Sequence, residues 1–448
     1  MAENNESLQA FLDKHPEIEI FELILPDVCG GLRGKWITRD KIHKVMDGAL
    51  KLPLSSLAFD IWGRDAEELV FDNGDGDGFL DADIRTVVVN PWARRPTAQL
   101  IVSMRHVDGD PCAYDTRFIV QALMARFKAR GLTPVVASEM EFYLLRDERD
   151  AMGRPVHTQV ERVGAVGGGQ TYGLDTMEAM SELLHEIRDA CSAQGLPIDT
   201  LIKESAPSQY EINLYHSPDA LVAADQAMML QRLIKGVSKR YGLRATFMAK
   251  PFGDLAGNGM HVHCSMLDEQ GNNAFDDGTG QGNALLRQAI AGCLQTMEDS
   301  MLLFAPNQNS YRRFQRGTHA PMAPCWGYEN RTVSVRVPAD TPQATRIEHR
   351  VAGADGNPYL VIAAILAGIL HGIENQLQAP APLEGNAYDQ VPPCLPRYWP
   401  DALACFKASA FVRDNLGAEF QRIYAVLKQQ ELDEFDRHVS ALEYDACL

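Results

Sequence analysis

The sequence predicts an α+β protein with two domains. Its 448 residues exceed the usual size of a single hydrophobic core, and its apolar content, 46% of residues, is enough to fill more than one. Up to about Asp110 a first helix is followed by short strands and turns, whereas the rest of the chain combines helical periodicity with strands. We therefore predict a small sheet domain over residues 1–110 and a larger domain over residues 111–448.

Local patterns predict the elements within these domains. Residues 18–26 form a predicted strand that is followed by a glycine-rich turn, and Asp115 is a suitable cap for a helix that ends at Gly131. Residues 164–173 are rich in glycine but lack the GKS or GKT of a P-loop, which predicts a mobile loop. The predicted helices cover residues 116–130, 177–194, 220–241, 359–370 and, with a break at Gly417, 399–448.

The chain is strongly acidic. It has 42 Lys and Arg against 60 Asp and Glu, a formal net charge of -18 and a sequence pI of about 5.1. Nucleic acids and anionic membranes require basic surface, so neither is expected as a partner. A cationic substrate is electrostatically compatible with this charge, although the charge alone identifies none.

The cysteines indicate a reducing compartment. They are nine in number and widely scattered, and no pair has CxxC spacing, so we expect reduced thiols and neither disulfides nor a zinc site. Residues 1–9 are polar and acidic and lack the apolar core of a signal peptide. The best candidate for a membrane span, residues 359–370, has about half the length required. We predict a cytoplasmic protein without membrane association, with 359–370 as a buried helix.

Two carboxylates, Glu139 and Glu141, lie one residue apart inside an apolar run from Val135 to Leu145. Branched and aromatic residues dominate the run, so it reads as a strand on which both carboxylates share a face. Like charges in such a position repel, unless a cation lies between them or the face is exposed to solvent. From these residues alone, a cation site and an exposed edge strand both remain open.

Further candidate ligands follow along the chain. Glu204 and Glu211 flank a proline-containing turn, and His261, His263 and Ser265 share one face of a predicted strand after a Gly-Asn-Gly turn. A single buried histidine is usually structural. Two alternating histidines next to such a turn favour a functional site.

Arginines accumulate in the last third of the chain. The guanidinium group suits planar recognition of carboxylate and phosphate, which makes an anion-binding role the first interpretation. Surface ion pairs are the alternative. The clusters are Arg312 with Arg313, Arg331 with Arg336, and Arg346 with Glu348 and Arg350.

Taken in order, these motifs resemble the glutamine synthetase family, and the resemblance runs from about Phe21 to Tyr444. Six motifs carry it, namely residues 138–142, 204–211, 259–265, 309–313, 330–336 and 346–350. The resemblance implies an N-terminal β-grasp domain and a catalytic domain with a curved antiparallel sheet flanked by helices. It also implies a homo-oligomer, commonly a dodecamer of two stacked hexameric rings, with each active site between neighbouring subunits.

The resemblance also implies roles for individual residues. Two Mg²⁺ or Mn²⁺ ions are expected, and hard carboxylate ligands with one imidazole suit either ion. The expected ligands are Glu141, Glu204 and Glu211 for the first ion and Glu139, His261 and Glu348 for the second. His263 and Ser265 are expected near ATP, Arg313 and Arg350 near L-glutamate, and Arg331 and Arg336 near the transferred phosphate. Phosphorylation of the γ-carboxylate of glutamate would then precede attack by an amine.

Two departures concern the amine. Ammonia-using members carry a glutamate where this chain has His319, and their Asp-Gly-Ser-Ser segment corresponds to Phe59-Asp60-Ile61-Trp62. With residues 252–259, among them Gly257, these changes resemble the γ-glutamylpolyamine synthetase branch. Its members join glutamate to putrescine, spermidine or related amines. Asp60 is then expected to pair with an ammonium group and Trp62 to contact an alkyl chain.

Three alternatives remain open at this point: a glutamine synthetase that uses ammonia, a catalytically silent ring with a binding or structural role, and a phosphotransferase on the related guanidino-kinase fold. Tyr388 falls near the position at which some relatives are adenylylated, but nothing in the sequence indicates that control.

Overall fold

The computed structural model describes residues 2–70, 74–158, 171–338 and 341–448, and within them it contains two β-sheets. The strands are β1 (Ile20–Pro26), β2 (Leu32–Thr38), β3 (Lys51–Pro53), β4 (Asp77–Ala82), β5 (Val88–Val89), β6 (Thr97–Arg105), β7 (Thr133–Arg149), β8 (Pro155–His157), β9 (Ile198–Lys203), β10 (Gln209–Leu214), β11 (Leu243–Thr246), β12 (Met260–Leu267), β13 (Trp326–Tyr328), β14 (Val335–Val337) and β15 (Ile347–His349).

The first six strands form one sheet and the remaining nine form the other. In the first sheet the order is β2-β1-β6-β4-β3, with β5 also paired to β6, and β1 runs parallel to β6. In the second the order is β13-β14-β15-β12-β7-β10-β9, with β8 and β11 also paired to β7. All its pairs are antiparallel except β13 with β14. The α+β class is confirmed, and the boundary between residues 110 and 111 stays a prediction.

Helices accompany both sheets. They are α1 (Ala2–Lys14), α2 (His43–Met46), α3 (Glu67–Val70), α4 (Thr116–Lys128), α5 (Leu174–Glu178), α6 (Ser181–Ala193), α7 (Ala220–Arg240), α8 (Ala284–Gln295), α9 (Met301–Phe304), α10 (Pro358–Glu374), α11 (Ala387–Gln390), α12 (Trp399–Ala408), α13 (Ala410–Leu416), α14 (Ala418–Arg437) and α15 (Ala441–Cys447).

The apolar helix predicted over 359–370 is the buried helix α10, which packs against α4, α7 and α8. Its contact with α8 depends on glycine: a Cβ atom at Gly292 would lie 2.0 Å from the carbonyl oxygen of Gly368. Burial on all sides explains why its sequence carries almost no polar residue. Over the described residues, we find no helix of sufficient length and apolarity to cross a membrane.

Several predicted elements are confirmed and some are corrected. Asp115 caps α4, where its side chain accepts a hydrogen bond from the backbone N–H of Arg117, and Gly417 separates α13 from α14 with a positive φ of 107°. The single helix predicted over 177–194 was wrong, because the chain breaks at Met180 and α6 starts afresh at Ser181. Most of the predicted mobile loop over 164–173 lies outside the described residues.

Candidate active site

Charged side chains from neighbouring strands and loops line one cavity of about 390 Å³ on the nine-stranded sheet. The cavity brings together most of the residues that the sequence predicts for the site. They are Glu139, Glu141, Glu204, Glu211, Gly257, His261, Arg313, His319, Arg331, Arg336 and Arg350.

Strand register explains why the carboxylates meet. Glu211 on β10 lies directly opposite Glu141 on β7, and His261 on β12 lies opposite Glu139. Opposite residues in an antiparallel pair have neighbouring Cβ atoms, so residues far apart in sequence become neighbours in space. The single-residue spacing of Glu139 and Glu141 gives each carboxylate its own cross-strand partner on the same face.

One group of ligands surrounds Glu139. Its Oε2 lies 3.1 Å from Nδ1 of His261, and its Oε1 lies 2.8 Å from Nε2 of His263. The same Nδ1 of His261 is 3.6 Å from Oε1 of Glu348. Ligand atoms of Glu139, His263 and Glu348 also lie within 4.8 Å of one another, as a metal site requires. The chemistry of this set fits a divalent cation, and His263 becomes a second candidate imidazole beside His261.

The pKa of Glu139 supports an ionised carboxylate at this point. Burial acts to raise that pKa, but hydrogen bonds from His261 and His263 outweigh it and hold the pKa far below its usual value. Burial, followed by the positive charge of Arg350, lowers the pKa of His261. A neutral imidazole next to an ionised carboxylate is the protonation state in which both can act as metal ligands.

The second group of ligands consists of Glu141, Glu204 and Glu211. Burial raises the pKa of Glu141 to about 7, and the negative charge of Glu204 adds to the rise. Burial, with the charge of Glu141 next in importance, raises the pKa of Glu211 to about 9. Burial also raises the pKa of Glu204. Three carboxylates, of which Glu211 is buried and Glu141 and Glu204 are half-buried, oppose one another's ionisation and form a site that a cation would stabilise.

Arginines cover the other side of the cavity. Glu348 accepts hydrogen bonds from Nη1 of Arg336, at 2.9 Å, and from Nη1 of Arg350. Within the part of the chain that the structure describes, Nε of Arg336 and Nε of Arg350 are buried and have no hydrogen-bond partner. Unpaired buried N–H groups are rare in proteins, and here they would be satisfied by an anion such as carboxylate or phosphate.

Arg313 reaches the cavity past a glycine. Its Nη1 donates to the carbonyl oxygen of Val351 at 2.7 Å, which fixes the direction of the side chain. A Cβ atom at Gly257 would lie 2.9 Å from Cγ of Arg313 and 2.5 Å from the carbonyl oxygen of Ala249. Gly257 is therefore required for the path of Arg313. The N–H of Gly259 donates to Glu141 at 2.7 Å and ties the same loop to the carboxylates.

Asp60 and Trp62 lie elsewhere. Among the described residues that line the 390 Å³ cavity, none comes from residues 59–64, which we call loop 59–64. Asp60 is fully buried, and its carboxylate accepts hydrogen bonds from the N–H groups of Trp62 and Arg64 and from the side chains of Arg64 and Gln430. The Trp62 side chain is 47% exposed. The structure of one chain thus does not bring Asp60 or Trp62 to its own cavity.

The rim of the cavity carries two residues with left-handed backbone conformations. His319 has a φ of 57° and Tyr172 a φ of 61°, which are uncommon values for residues other than glycine. His319 is exposed and was predicted for the site, whereas Tyr172, also exposed, was not. Ser265 is not among the described lining residues, and its predicted contact with the nucleotide stays a prediction.

Gln209, Asn213 and Tyr172 are among the lining residues that the sequence prediction missed. Gln209 donates to the carbonyl oxygen of Gly257 at 3.0 Å, and Asn213 lies opposite Glu139 with a buried Oδ1 that lacks a partner among the described residues. Asn213 alternates with Glu211 along β10, a signal that could have identified it. Tyr172 lies near the end of the glycine-rich segment 164–173 and offered no such signal.

Comparison with known families gives one match that covers most of the chain. The family model described as the catalytic domain of glutamine synthetase matches residues 113–447.

Individual proteins match over nearly the full length. A γ-glutamylputrescine synthetase, PuuA, of Escherichia coli (strain K12) is 37% identical over 98% of this chain and 94% of its own. A glutamate–isopropylamine ligase of a Pseudomonas species is 31% identical over 99% of this chain and 98% of its own. A solved structure titled as a GmaS complex with ADP superimposes with a TM-score of 0.85 at 26% identity, covering 98% of this chain and 99% of that one.

Proposed function

Because this chain belongs to the glutamine synthetase family, we propose that it is an ATP-dependent ligase that joins the γ-carboxylate of L-glutamate to an amine of a polyamine such as putrescine or spermidine. The names of the two relatives share a coarser activity, formation of a carbon–nitrogen bond between glutamate and an amine. That coarser activity is the function of the present enzyme. The polyamine is the specific part of the proposal.

One observation carries the proposal: a single cavity combines five acidic or imidazole ligands with arginines whose buried Nε–H groups have no hydrogen-bond partner among the described residues. Transfer of phosphate to a carboxylate brings several negative charges together. A site of this kind needs cations and fixed donors around the transferred group. Neither a buried cluster of structural ion pairs nor a solvent-exposed sheet edge explains buried N–H donors that have no hydrogen-bond partner.

The carboxylates are proposed to hold two divalent cations, Mg²⁺ or Mn²⁺. Glu141, Glu204 and Glu211 would hold one, and Glu139, Glu348 and an imidazole would hold the other. His261 remains our proposed imidazole, and the distances also allow His263. When bound, the ions would supply positive charge that compensates the phosphates of ATP.

The arginines are proposed to orient the two anionic reactants. Arg313 and Arg350 would bind glutamate, and Arg331 and Arg336 would stabilise the transferred phosphate. An oxygen of the γ-carboxylate attacks the terminal phosphorus of ATP, the bond to ADP breaks, and γ-glutamyl phosphate forms. His263 and Ser265 are proposed to lie toward the nucleotide.

The amine then attacks the acyl carbon of γ-glutamyl phosphate. The carbon–nitrogen bond forms, phosphate leaves with the electrons of the broken carbon–oxygen bond, and the amine loses a proton. His319 lies on the cavity rim, where its imidazole is proposed to accept that proton. An imidazole at this position also lacks the negative charge that would attract a small ammonium ion.

Asp60 and Trp62 are proposed to reach the reaction from a second copy of the chain. Their separation from the cavity of their own chain supports a site shared between subunits, in an assembly for which we propose two stacked hexameric rings. A shared site can be tested by mixing two defective variants, Trp62→Ala and Arg331→Ala. In randomly mixed oligomers about one quarter of shared sites would combine a native loop with a native cavity. Recovery of activity at low amine concentration is expected, and none would occur if each site belonged to one chain.

The overall proposal is tested with purified protein, ATP, Mg²⁺, L-glutamate and a panel of amines that includes ammonia, ethylamine, putrescine and spermidine. We expect γ-glutamyl amides of the diamine or polyamine, identified by mass, and one phosphate released per amide. Efficient formation of glutamine with no amide from any diamine would contradict the polyamine proposal and leave an ammonia-using enzyme.

A further inference from the structure

Loop 59–64 is held on helix α14 by buried polar side chains. The backbone N–H of Ile61 donates a 2.9 Å hydrogen bond to Oε1 of Glu431, and Nε2 of Gln430 donates a 2.9 Å hydrogen bond to Oδ2 of Asp60. These contacts join residues that are 370 positions apart in the sequence. The conformation of the loop therefore depends on the C-terminal helix as well as on its own turn.

Glu431 forms a buried ion pair in the same helix. Its Oε2 accepts a 2.8 Å hydrogen bond from Nζ of Lys428, and both side chains are 0% exposed. The thiol of Cys29 lies 3.6 Å from Oε1 of Glu431, the oxygen that also receives the N–H of Ile61. Burial of two charges costs much of what their attraction returns, so this pair is weak evidence for a purely stabilising role.

The pair fixes the part of the loop that is exposed. Trp62 follows Ile61 directly, and its ring lies 5.5 Å from the ring of Phe435 on α14 and 4.5 Å from the guanidinium of Arg64. Since α14 holds both residues that precede Trp62, Asp60 and Ile61, the indole has a defined direction toward solvent. A rigid aromatic side chain on a fixed backbone is suited to contact with an alkyl chain.

We infer that Glu431, held in place by Lys428, is a positioning residue for the acceptor amine. It would act by anchoring the backbone at Ile61 so that Trp62 faces the amine in the site of a neighbouring subunit, and it would not touch the substrate itself. The inference rests on the proposed function, because it takes Trp62 as a contact of the amine.

The decisive comparison uses two double variants in which neither position 428 nor position 431 carries a charge. Lys428→Met/Glu431→Gln keeps an oxygen that can accept the hydrogen bond of Ile61, whereas Lys428→Met/Glu431→Leu keeps none. Glutamine matches glutamate in volume, whereas leucine is larger by about one methylene group, so the stability of each variant shows whether packing differs. Melting temperatures are measured first, and kinetics are compared at a temperature at which wild type and both variants are folded.

The expected readout is specific to the amine. The KM for putrescine should increase about tenfold in the leucine variant and less than threefold in the glutamine variant, because only the first loses the anchor of Ile61. The KM values for glutamate and ATP should stay within twofold of wild type. The KM for ammonia, which is too small to contact Trp62, should be equally insensitive.

Equal KM values for putrescine in the two double variants would overturn the inference, and so would a parallel increase for glutamate and ATP. If the wild type forms no diamine product at all, the proposed function fails, and the inference falls with it for that distinguishable reason. Gln430→Met provides a second test if the leucine variant does not fold. It removes the other hydrogen bond from α14 to the loop, and a selective increase in the KM for putrescine is expected, whereas no change would count against the inference.

Discussion

The cavity on the nine-stranded sheet and loop 59–64 are built in opposite ways. In the cavity, carboxylates oppose one another's ionisation, and buried guanidinium N–H groups lack partners among the described residues. In the loop, both carboxylate oxygens of Asp60 accept two hydrogen bonds each, and the exposed group is the apolar ring of Trp62. If the loop contacts the amine, as proposed, charge handling and amine contact are separable. A change in the loop should then alter the choice of acceptor without disturbing phosphoryl transfer.

Removal of one cavity carboxylate should give the largest effect. Glu211→Gln is expected to lower kcat/KM by about 10³-fold or more with every amine, because a neutral amide is a weaker ligand for a divalent cation than a carboxylate. Trp62→Ala serves as the matched change in the loop and should raise the KM for putrescine by about tenfold while glutamate and ATP are unaffected. Steady-state kinetics with each substrate varied in turn would check both.

A loss confined to the amine in Glu211→Gln, or a loss with all substrates in Trp62→Ala, would break the comparison. In that case the two regions would act as one unit, and effects of paired substitutions would be strongly non-additive.

The two regions should also respond differently to pH when divalent cations are removed. The folded-state pKa values of Glu141, about 7, and Glu211, about 9, lie above their usual value of 4.5. Between the usual pKa of 4.5 and these folded-state values, the folded protein binds more protons than the unfolded protein. The free energy of unfolding should therefore fall as pH rises from about 5 to 9. The steepest slope is roughly 1.4 kcal/mol per pH unit for each such group.

The pKa shift of Asp60 on folding has the opposite sign to those of Glu141 and Glu211. Burial acts to raise the pKa of Asp60, but hydrogen bonds from Arg64 and Gln430 lower it overall, so its contribution to stability is present above pH 4 and is lost on acidification.

Urea unfolding in EDTA from about pH 5 to 9 should show the alkaline decline in wild type and a shallower decline in Glu211→Gln. Excess Mg²⁺ should abolish the decline in wild type. An unchanged profile with and without Mg²⁺ would contradict cation binding by these carboxylates.

The sequence was informative where chemistry repeats at a fixed spacing. Glu139 with Glu141, and His261 with His263, follow the two-residue period of a strand, and both histidines lie on the face where they contact Glu139. The long helix α7 was predictable from apolar periodicity, and α10 was predictable from a continuous apolar run.

The sequence was uninformative where contacts between distant parts of the chain determine the structure. The bond between Glu431 and Ile61 joins distant parts of the chain, and α14 carries no local signal that Lys428 and Glu431 face inward. The apolar pattern looks continuous across Met180, so periodicity alone predicts a single helix that is too long. In the structure the chain breaks at Met180 and α6 starts at Ser181. Tyr172 lies on the rim in a left-handed backbone conformation, which its residue type does not reveal.

His319 tests the comparison between the two regions, because it lies on the cavity rim and yet is proposed to act on the amine. His319→Glu should increase kcat/KM for ammonia by about tenfold relative to putrescine, since a carboxylate at the rim attracts and can deprotonate a small ammonium ion. His319→Gln is the matched control without charge and should not favour ammonia. Competition between ammonia and putrescine in one reaction, with products quantified by mass, measures the ratio directly. An unchanged ratio would place selectivity in loop 59–64 alone.

The smallest effect is expected from Trp62→Phe. A phenyl ring keeps an aromatic face near Phe435 and Arg64 but loses about a third of the contact area of indole, so the KM for putrescine should increase only about two- to threefold. If the loss instead equals that of Trp62→Ala, area is not the property that matters, and the indole N–H becomes the candidate contact for the acceptor. Spermidine then discriminates further, because its longer chain should depend more on ring area than putrescine does.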